Sequence, residues 1–380
     1  MKIFSNKTES RMPFAFIRSI SVLIFLVISV FASDEGALIL ERANRNENIY
    51  SNGEFISHLR GNVVFRYDDM KIRADQATWH KSQGVVSFRK GVRVERDRQL
   101  LTCDWLHFTR KNNLIRARGD FFFEDSAEYT TLTGREAEYE VDDRNFLLRG
   151  NPRLVRRDTT ENDTLFISGS LMEYADSNKQ ATVTENVNIR KGKLVATCRK
   201  ADYFTDSNSA NLRVKPEVFY ENHKVVGDSV DLYFGKEALE MARVVGNSHG
   251  RYTEFSKHSR DTSITHIWSD SLHLTVSDSG MLDSLYAYGK VLSKYFLKGD
   301  SSRANEASGK IMVISFEQDG KVEKAVINGN ARSVYHIDES DGRGRNEASG
   351  DQIVVLFELG KARVLKLRGS TRGMYFPLPD

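Results

Sequence analysis

Gly61-Asn62-Val63-Val64-Phe65 decides the fold, because versions of it return down the chain. They stand at Gly91-Val92-Arg93-Val94, Gly119-Asp120-Phe121-Phe122-Phe123, Gly150-Asn151-Pro152-Arg153-Leu154, Asn186-Val187-Asn188-Ile189 and, in degenerate form, Pro216-Glu217-Val218-Phe219. Further versions begin at Gly246, Gly289, Gly329 and Gly369, with positions 185 and 215 filling the two non-glycine places in the series. Self-similarity at a period of roughly 30 to 40 residues marks a repeat architecture.

A second landmark lies inside each repeat, a small residue followed by an alternating apolar run. It is Ala74, Cys103, Gly134, Gly169, Cys198, Gly227, Ser269, Gly309 and Gly350 in turn. Two copies are almost literal, Asn305-Glu306-Ala307-Ser308-Gly309 and Asn346-Glu347-Ala348-Ser349-Gly350. Around each anchor the positions two and four away tend to be apolar, and outward positions carry charge, as at Arg66, Arg89, Arg93, Arg116 and Arg118. A period of two puts one apolar face inward on a half-buried strand. Counted in this way, the anchor glycines Gly61, Gly91, Gly119, Gly150, Gly246, Gly289, Gly329 and Gly369 fall on the inward phase, as bends at crowded corners. Turn residues such as Ser82-Gln83-Gly84, Asp176-Ser177-Asn178 and Asp319-Gly320 separate the strands, and no amphipathic helix follows residue 34.

Positive charge, then an apolar stretch from Ile20 to Phe31, then Val30-Phe31-Ala32 give residues 1–32 the form of a signal peptide cut after Ala32. An uncleaved membrane anchor is the alternative. Residues 33–50 read as a flexible lead-in, 51–245 as a compact β-repeat domain, and 246–376 as a second repeat region continuous with it, with 377–380 a tail. The second region carries polar insertions at 251–262, 298–305 and 338–346, expected at hairpin tips or mobile connections.

Composition narrows the function. The chain has 55 Lys and Arg against 52 Asp and Glu; the first 32 residues hold four of the former and one of the latter, leaving 51 of each. A neutral body lacks the basic face that nucleic acid requires. Nine histidines make no metal-binding spacing, and His266 with His273, taken to lie on adjoining strands, is their nearest approach to a pair. Asp68-Asp69 and Asp142-Asp143 sit where turns favour Asp. No nucleophile elbow, phosphate loop or dinucleotide fingerprint is present, so no enzyme, cofactor or metal is expected. Cys103 and Cys198 occupy one repeat slot three repeats apart, about 29 Å along a ladder of strands, too far for a disulfide. Two free thiols are expected.

Gly61 to Phe65, followed after a turn by Ile72-Arg73-Ala74-Asp75-Gln76-Ala77-Thr78-Trp79, resembles the repeating unit of the LptA/OstA family of periplasmic lipopolysaccharide-transport proteins. Val226-Gly227-Asp228-Ser229-Val230-Asp231-Leu232 and Ala348-Ser349-Gly350-Asp351-Gln352-Ile353 are later matches, and the resemblance covers most of 55 to 375. It implies an all-β, elongated, V-shaped antiparallel jelly roll with an apolar inner groove. It implies a periplasmic bridge that shields the acyl chains of lipopolysaccharide on the way to the outer membrane of a two-membrane bacterium. The partners it implies are lipid A acyl chains and, by end-to-end strand addition, LptC-like and LptD-like proteins or further copies. Candidates for lining the groove are Val63, Phe65, Trp79, Val94, Phe108, Phe121, Phe123, Tyr139, Leu154, Tyr174, Ile189, Tyr203 and Phe219. A membrane-anchored LptC-like component is one alternative, and a parallel β-helix polysaccharide-processing enzyme is another. The chain is about twice the length of a stand-alone carrier of that family.

Overall fold

The computed structural model describes residues 38–377, apart from 68, 141, 158–163, 205, 236–238, 256–261, 278–279, 298–303, 340–341 and 359–360. The described residues form 26 strands in one hydrogen-bonded sheet, and single turns of 3₁₀ helix at Arg110–Asn112 and Asp176–Asn178 are its only helical elements. Every strand pairs antiparallel with its neighbours, which overturns the parallel β-helix alternative.

Each repeat places a corner either within a long strand or between two short ones, as at Gly150 between Asn145–Arg149 and Arg153–Arg157. In Glu54–Tyr67, residues 56–60 pair with 76–80 of the next strand, and 63–67 pair with 70–74. Gly61 and Asn62 stand opposite Asp75 alone, a bulge that bends the strand. The two halves of every such strand thus belong to two different ladders, called here arm I (the 56–60 half) and arm II (the 63–67 half). Each arm contains about twenty strand segments, which at ~4.8 Å per segment gives a ladder of about 95 Å.

Positive φ marks the corners. Gly61 and Asn62 have φ of 74° and 49°, Gly119 and Asp120 76° and 38°, Gly246 and Asn247 74° and 45°. All ten anchors of the repeat series have positive φ, including Glu185 (55°) and Lys215 (57°). Left-handed backbone is nearly free of steric cost only for glycine, which is why glycine dominates the series.

Two readings of the corner are corrected. The anchor glycines face outward. A Cβ on Gly119, Gly246, Gly289 or Gly369 would collide with the carboxylate of Asp104, Asp228, Asp270 or Asp351, the residue that follows the small slot on the adjacent strand. The inward residues flank the corner pair, as Leu59 and Val63 do, both 1% exposed. The two left-handed residues project the bend away from the core. The second correction concerns residues 33–50: from Leu38 onward they are strands, Leu38–Arg42 and Arg45–Ser51, both paired with Glu54–Tyr67. Arg45–Ser51 is exposed along its whole length, held by backbone pairing with the Ser57 hydroxyl donating to Asn48 Oδ1 at 2.6 Å and Tyr50 against Phe55, and no apolar alternation could have revealed it.

Sterics account for the small slot. A Cβ on Gly169, Gly227 or Gly309 would lie 2.5 Å from a methyl of Val183, Val244 or Ile327 on the next strand. Cys103 and Cys198 occupy this slot with free, buried thiols, donating to the carbonyls of Trp105 (3.3 Å) and Lys200 (3.2 Å). The Ser269 hydroxyl repeats the contact, donating to Ser271 O at 2.9 Å. Burial pushes the Cys103 thiol up to about 12 and the Cys198 thiol up to about 11.

The strand Leu239–Phe255 runs through residue 245, paired on both sides of that position with Thr262–Val276. The described parts of the polar insertions at 251–255, 338–339 and 342–346 continue arm II strands, and Val322–Glu339 and Gly342–Glu358 pair as far as Glu339↔Gly342. Residues 1–37, with the stretch expected to be a signal peptide, and residues 378–380 of the expected tail fall outside the described residues.

Candidate functional site: the slot between the arms

The two arms face each other across their apolar sides. Phe65 of arm II meets Phe88 and Trp79 of arm I edge-on at 5.3 and 5.5 Å. Phe121 lies 6.5 Å from Phe146, and Tyr252 lies 5.2 Å from Phe316. Farther from the corner, the Tyr220 hydroxyl donates to Gly280 O at 2.9 Å, and the Tyr252 hydroxyl donates to Gly320 O. Both bonds tie an arm II strand to an arm I turn.

Strand register organises the walls into rows. The arm I row nearest the corner runs Leu59, Ala77, Phe88, Leu106 at one end and continues rung by rung to Met312, Ile327, Ile353 and Leu367. Its members are apolar throughout, and each sits two residues before a corner or three after a small slot. The facing arm II row begins Phe65, Ile72, Val94, Leu101, Phe123 and Leu132, and reaches Val218 and Val225. There its character changes. From Gly250 onward it reads Gly250, Ile267, Ser293, Ala307, Ser333, Ala348 and Gly373.

Among the thirteen candidates, Val63, Phe65, Val94, Phe121, Phe123, Tyr139, Leu154 and Tyr174 are buried in the core between the arms. Trp79, Phe108, Ile189 and Tyr203 are partly buried and pack against it. Burial raises the Tyr174 and Tyr203 hydroxyls to about 12. Phe219 is corrected. Val218 beside it is 3% exposed and inward, whereas Phe219 pairs with Lys224, whose ammonium lies over the ring at 5.0 Å on the outer face. The corner here begins at Val214 (φ 61°), one residue before the anchor used for counting, so the inward phase falls on 216 and 218. The sequence list also left out the arm I row beside the corner. Its signal was present in the apolar residues two before most anchors, Gly91 and Lys215 excepted, where Arg89 and Arg213 stand instead.

The outer faces carry cross-strand ion pairs: Arg66–Glu41 at 2.9 Å, Arg116–Glu138 at 2.8 Å and Arg213–Asp231 at 2.7 Å. The histidine pair is also corrected: His266 and His273 share one strand, and His266 Nδ1 instead lies 2.9 Å from His249 Nε2 on the neighbouring strand. Among the described residues, no group of three or more His, Cys, Asp or Glu is placed to hold a metal ion.

These features define a class: an all-β, antiparallel two-armed ladder with an apolar interior along its length. No known family's sequence profile matches the chain, and no curated protein sequence matches it. Among solved structures it is similar to LptH, the LptA-homologous periplasmic component of the lipopolysaccharide transport device of Pseudomonas aeruginosa. Identity is 14%, the match covers 38% of this chain and 82% of LptH, and the TM-score is 0.20.

Proposed function

We propose that this chain is a non-enzymatic envelope carrier that shields the acyl chains of lipopolysaccharide, or of a lipid of that kind, between its arms during transport to the outer membrane. One observation carries the reading: the arm I row beside the corner stays apolar without a polar break from Leu59 to Leu367, on every strand of the arm except the terminal Arg45–Ser51. A globular protein of this size closes a compact core, whereas a wall about 95 Å long suits a task of distance. Leaving one acyl methylene in water costs roughly 0.8 kcal/mol, so a multi-chain lipid needs continuous cover. A wall of even apolarity gives it no deep trap along the way.

The resemblance of Gly61–Phe65 and Ile72–Trp79 to the LptA/OstA repeat supports the same reading, as does the signal-like N-terminal sequence. The terminal strands support end-to-end addition of LptC-like or LptD-like domains or of further copies. Arg45–Ser51 is an exposed edge at one end, and Arg372–Pro377 is fully exposed at the other, with Tyr375 and Phe376 at 52% and 40%.

Photo-crosslinking tests the carrier role. A photoreactive residue at Phe108 or Tyr174 should capture labelled lipopolysaccharide, and one at the outward Arg66 or Arg116 should not. Equal capture from both faces, or none from either, would remove the carrier reading.

A further inference from the structure

The wall change at Gly250 coincides with a second pattern, six residues beyond the start of each corner. At the first corner this position is Tyr67 and in the next four repeats it is Arg96, Asp125, Arg156 and Lys191; from the corner at Val214 onward it is Tyr220, Tyr252, Tyr295, Tyr335 and Tyr375. Strand register puts the five tyrosines in a single row along the outer lip of arm II, on the inward phase. Consecutive tyrosines are two strands apart, about 10 Å.

The residues between them are uncharged hydrogen-bonding groups. His223 pairs with Tyr220 and stacks on Tyr252 at 4.6 Å, Thr265 stands between Tyr252 and Tyr295, and Asn346 between Tyr335 and Tyr375. Asn305 pairs with Tyr295, its amide oxygen fixed by the His336 backbone N–H at 2.8 Å. The corner geometry does not require tyrosine here, since four repeats have a charged residue at the same position.

Three features therefore converge on the C-terminal half. Arm I keeps its apolar wall, arm II beneath the lip is cut back to glycine, serine and alanine at every rung but Ile267, and the row along the lip is aromatic and hydroxylated. Tyr220 and Tyr252 close the slot onto the turns at Gly280 and Gly320. Beyond them the row opens, with Tyr335 36% and Tyr375 52% exposed. Tyrosine rings beside hydroxyl and amide groups suit a ligand that is greasy on one side and wet on the other. The side chains of the row are themselves uncharged and the carboxylates of Glu254 and Asp319 act on Tyr252, which favours sugar hydroxyls over a phosphate as the group they meet.

We propose that the slot between Gly250 and Tyr375 seats the sugar–acyl junction of a glycolipid, with acyl chains on the arm I wall and sugar hydroxyls on the tyrosine lip. This rests on the carrier reading and specifies where, and by which residues, the cargo is held. The test uses the full chain with two fluorescent probes, a dansyl fatty acid and a diacylated disaccharide carrying the same fluorophore on an acyl chain. The triple variant Tyr295→Phe, Tyr335→Phe, Tyr375→Phe keeps every ring and removes three hydroxyls. It should bind the fatty acid within twofold of wild type and the disaccharide at least tenfold more weakly. If the triple variant does not fold, Tyr335→Phe and Tyr375→Phe separately should each weaken disaccharide binding two- to threefold. Undiminished disaccharide binding in these variants would overturn the lip assignment and leave the carrier reading intact. Failure of wild type to bind either probe would overturn both.

Discussion

Replacing Gly309 with alanine tests the packing of the small slot beside the corner. Gly309 lies outside the left-handed region, so alanine could adopt its backbone, and in open space the change would stabilise by about 0.4–1 kcal/mol through the unfolded state. The structure demands the opposite sign. The added Cβ would sit 2.5 Å from Ile327 Cγ2 and 3.0 Å from Asn328 O, where carbon–carbon contacts settle near 3.5–4.0 Å. Ile327 is 1% exposed between Met312 and Ile353 and has nowhere to swing. Overpacking of this kind costs about 1–3 kcal/mol. With an unfolding entropy of about 2.1 cal/mol/K per residue, 2 kcal/mol over this chain lowers Tm by roughly 3 °C. Thermal denaturation followed by circular dichroism should show that drop. In an Ile327→Ala background, already weakened by its own cavity, Gly309→Ala should cost almost nothing further. A neutral or stabilising Gly309→Ala, or strict additivity in the double variant, would refute the packing account of the small slot.

Other outcomes follow from the same geometry. Cys103 and Cys198, with thiols raised to about 12 and about 11 by burial, should react with a thiol reagent at pH 8 only in denaturant, each releasing one equivalent. Val218→Ala should destabilise by about 1–3 kcal/mol and Phe219→Ser by well under 1 kcal/mol, measured by urea denaturation; the reverse order would put Phe219 in the core. Glu254 gives a pH signature. Burial, opposed by Lys321 and reinforced by Asp319 and Glu317, holds its carboxyl above the ordinary value of 4.5. The folded state therefore keeps this proton to higher pH than the unfolded chain, and wild type loses stability relative to Glu254→Gln as pH rises from about 4.5 through the folded pKa. Parallel melting curves for the two proteins from pH 4 to 8 should diverge in that sense, and constant separation would contradict it.

The legible parts of the fold were those where backbone sterics leave few residue choices. Left-handed φ selects glycine at Gly61, Gly119 and Gly246, and a facing methyl excludes side chains at Gly169, Gly227 and Gly309. Both constraints write themselves into the sequence at a fixed spacing, which carried even Glu185 and Lys215 into the series. Alternation gave most of the inward residues, and it failed where the corner was miscounted by one, at Phe219. A period of two also cannot tell which face a bulged glycine takes, so the anchors were placed inward. The strands Leu38–Arg42 and Arg45–Ser51 left little trace, because backbone bonds at an edge ask little of side chains. The tyrosine row was hidden for another reason: its members are some 32 to 43 residues apart, and only strand register shows that they share one lip.

The central claim is that all these repeats stack into one uninterrupted ladder. Spin labels at Asp104 and Lys310, in a background with both native cysteines replaced by alanine, test it through their dipolar coupling. Both residues stand on the outside of corners, and twelve strand pairings separate them, so the label-to-label distance should centre near 58 Å. A distribution centred below about 40 Å would mean that the ladder folds back on itself or divides into separate cores, and the slot would not be continuous.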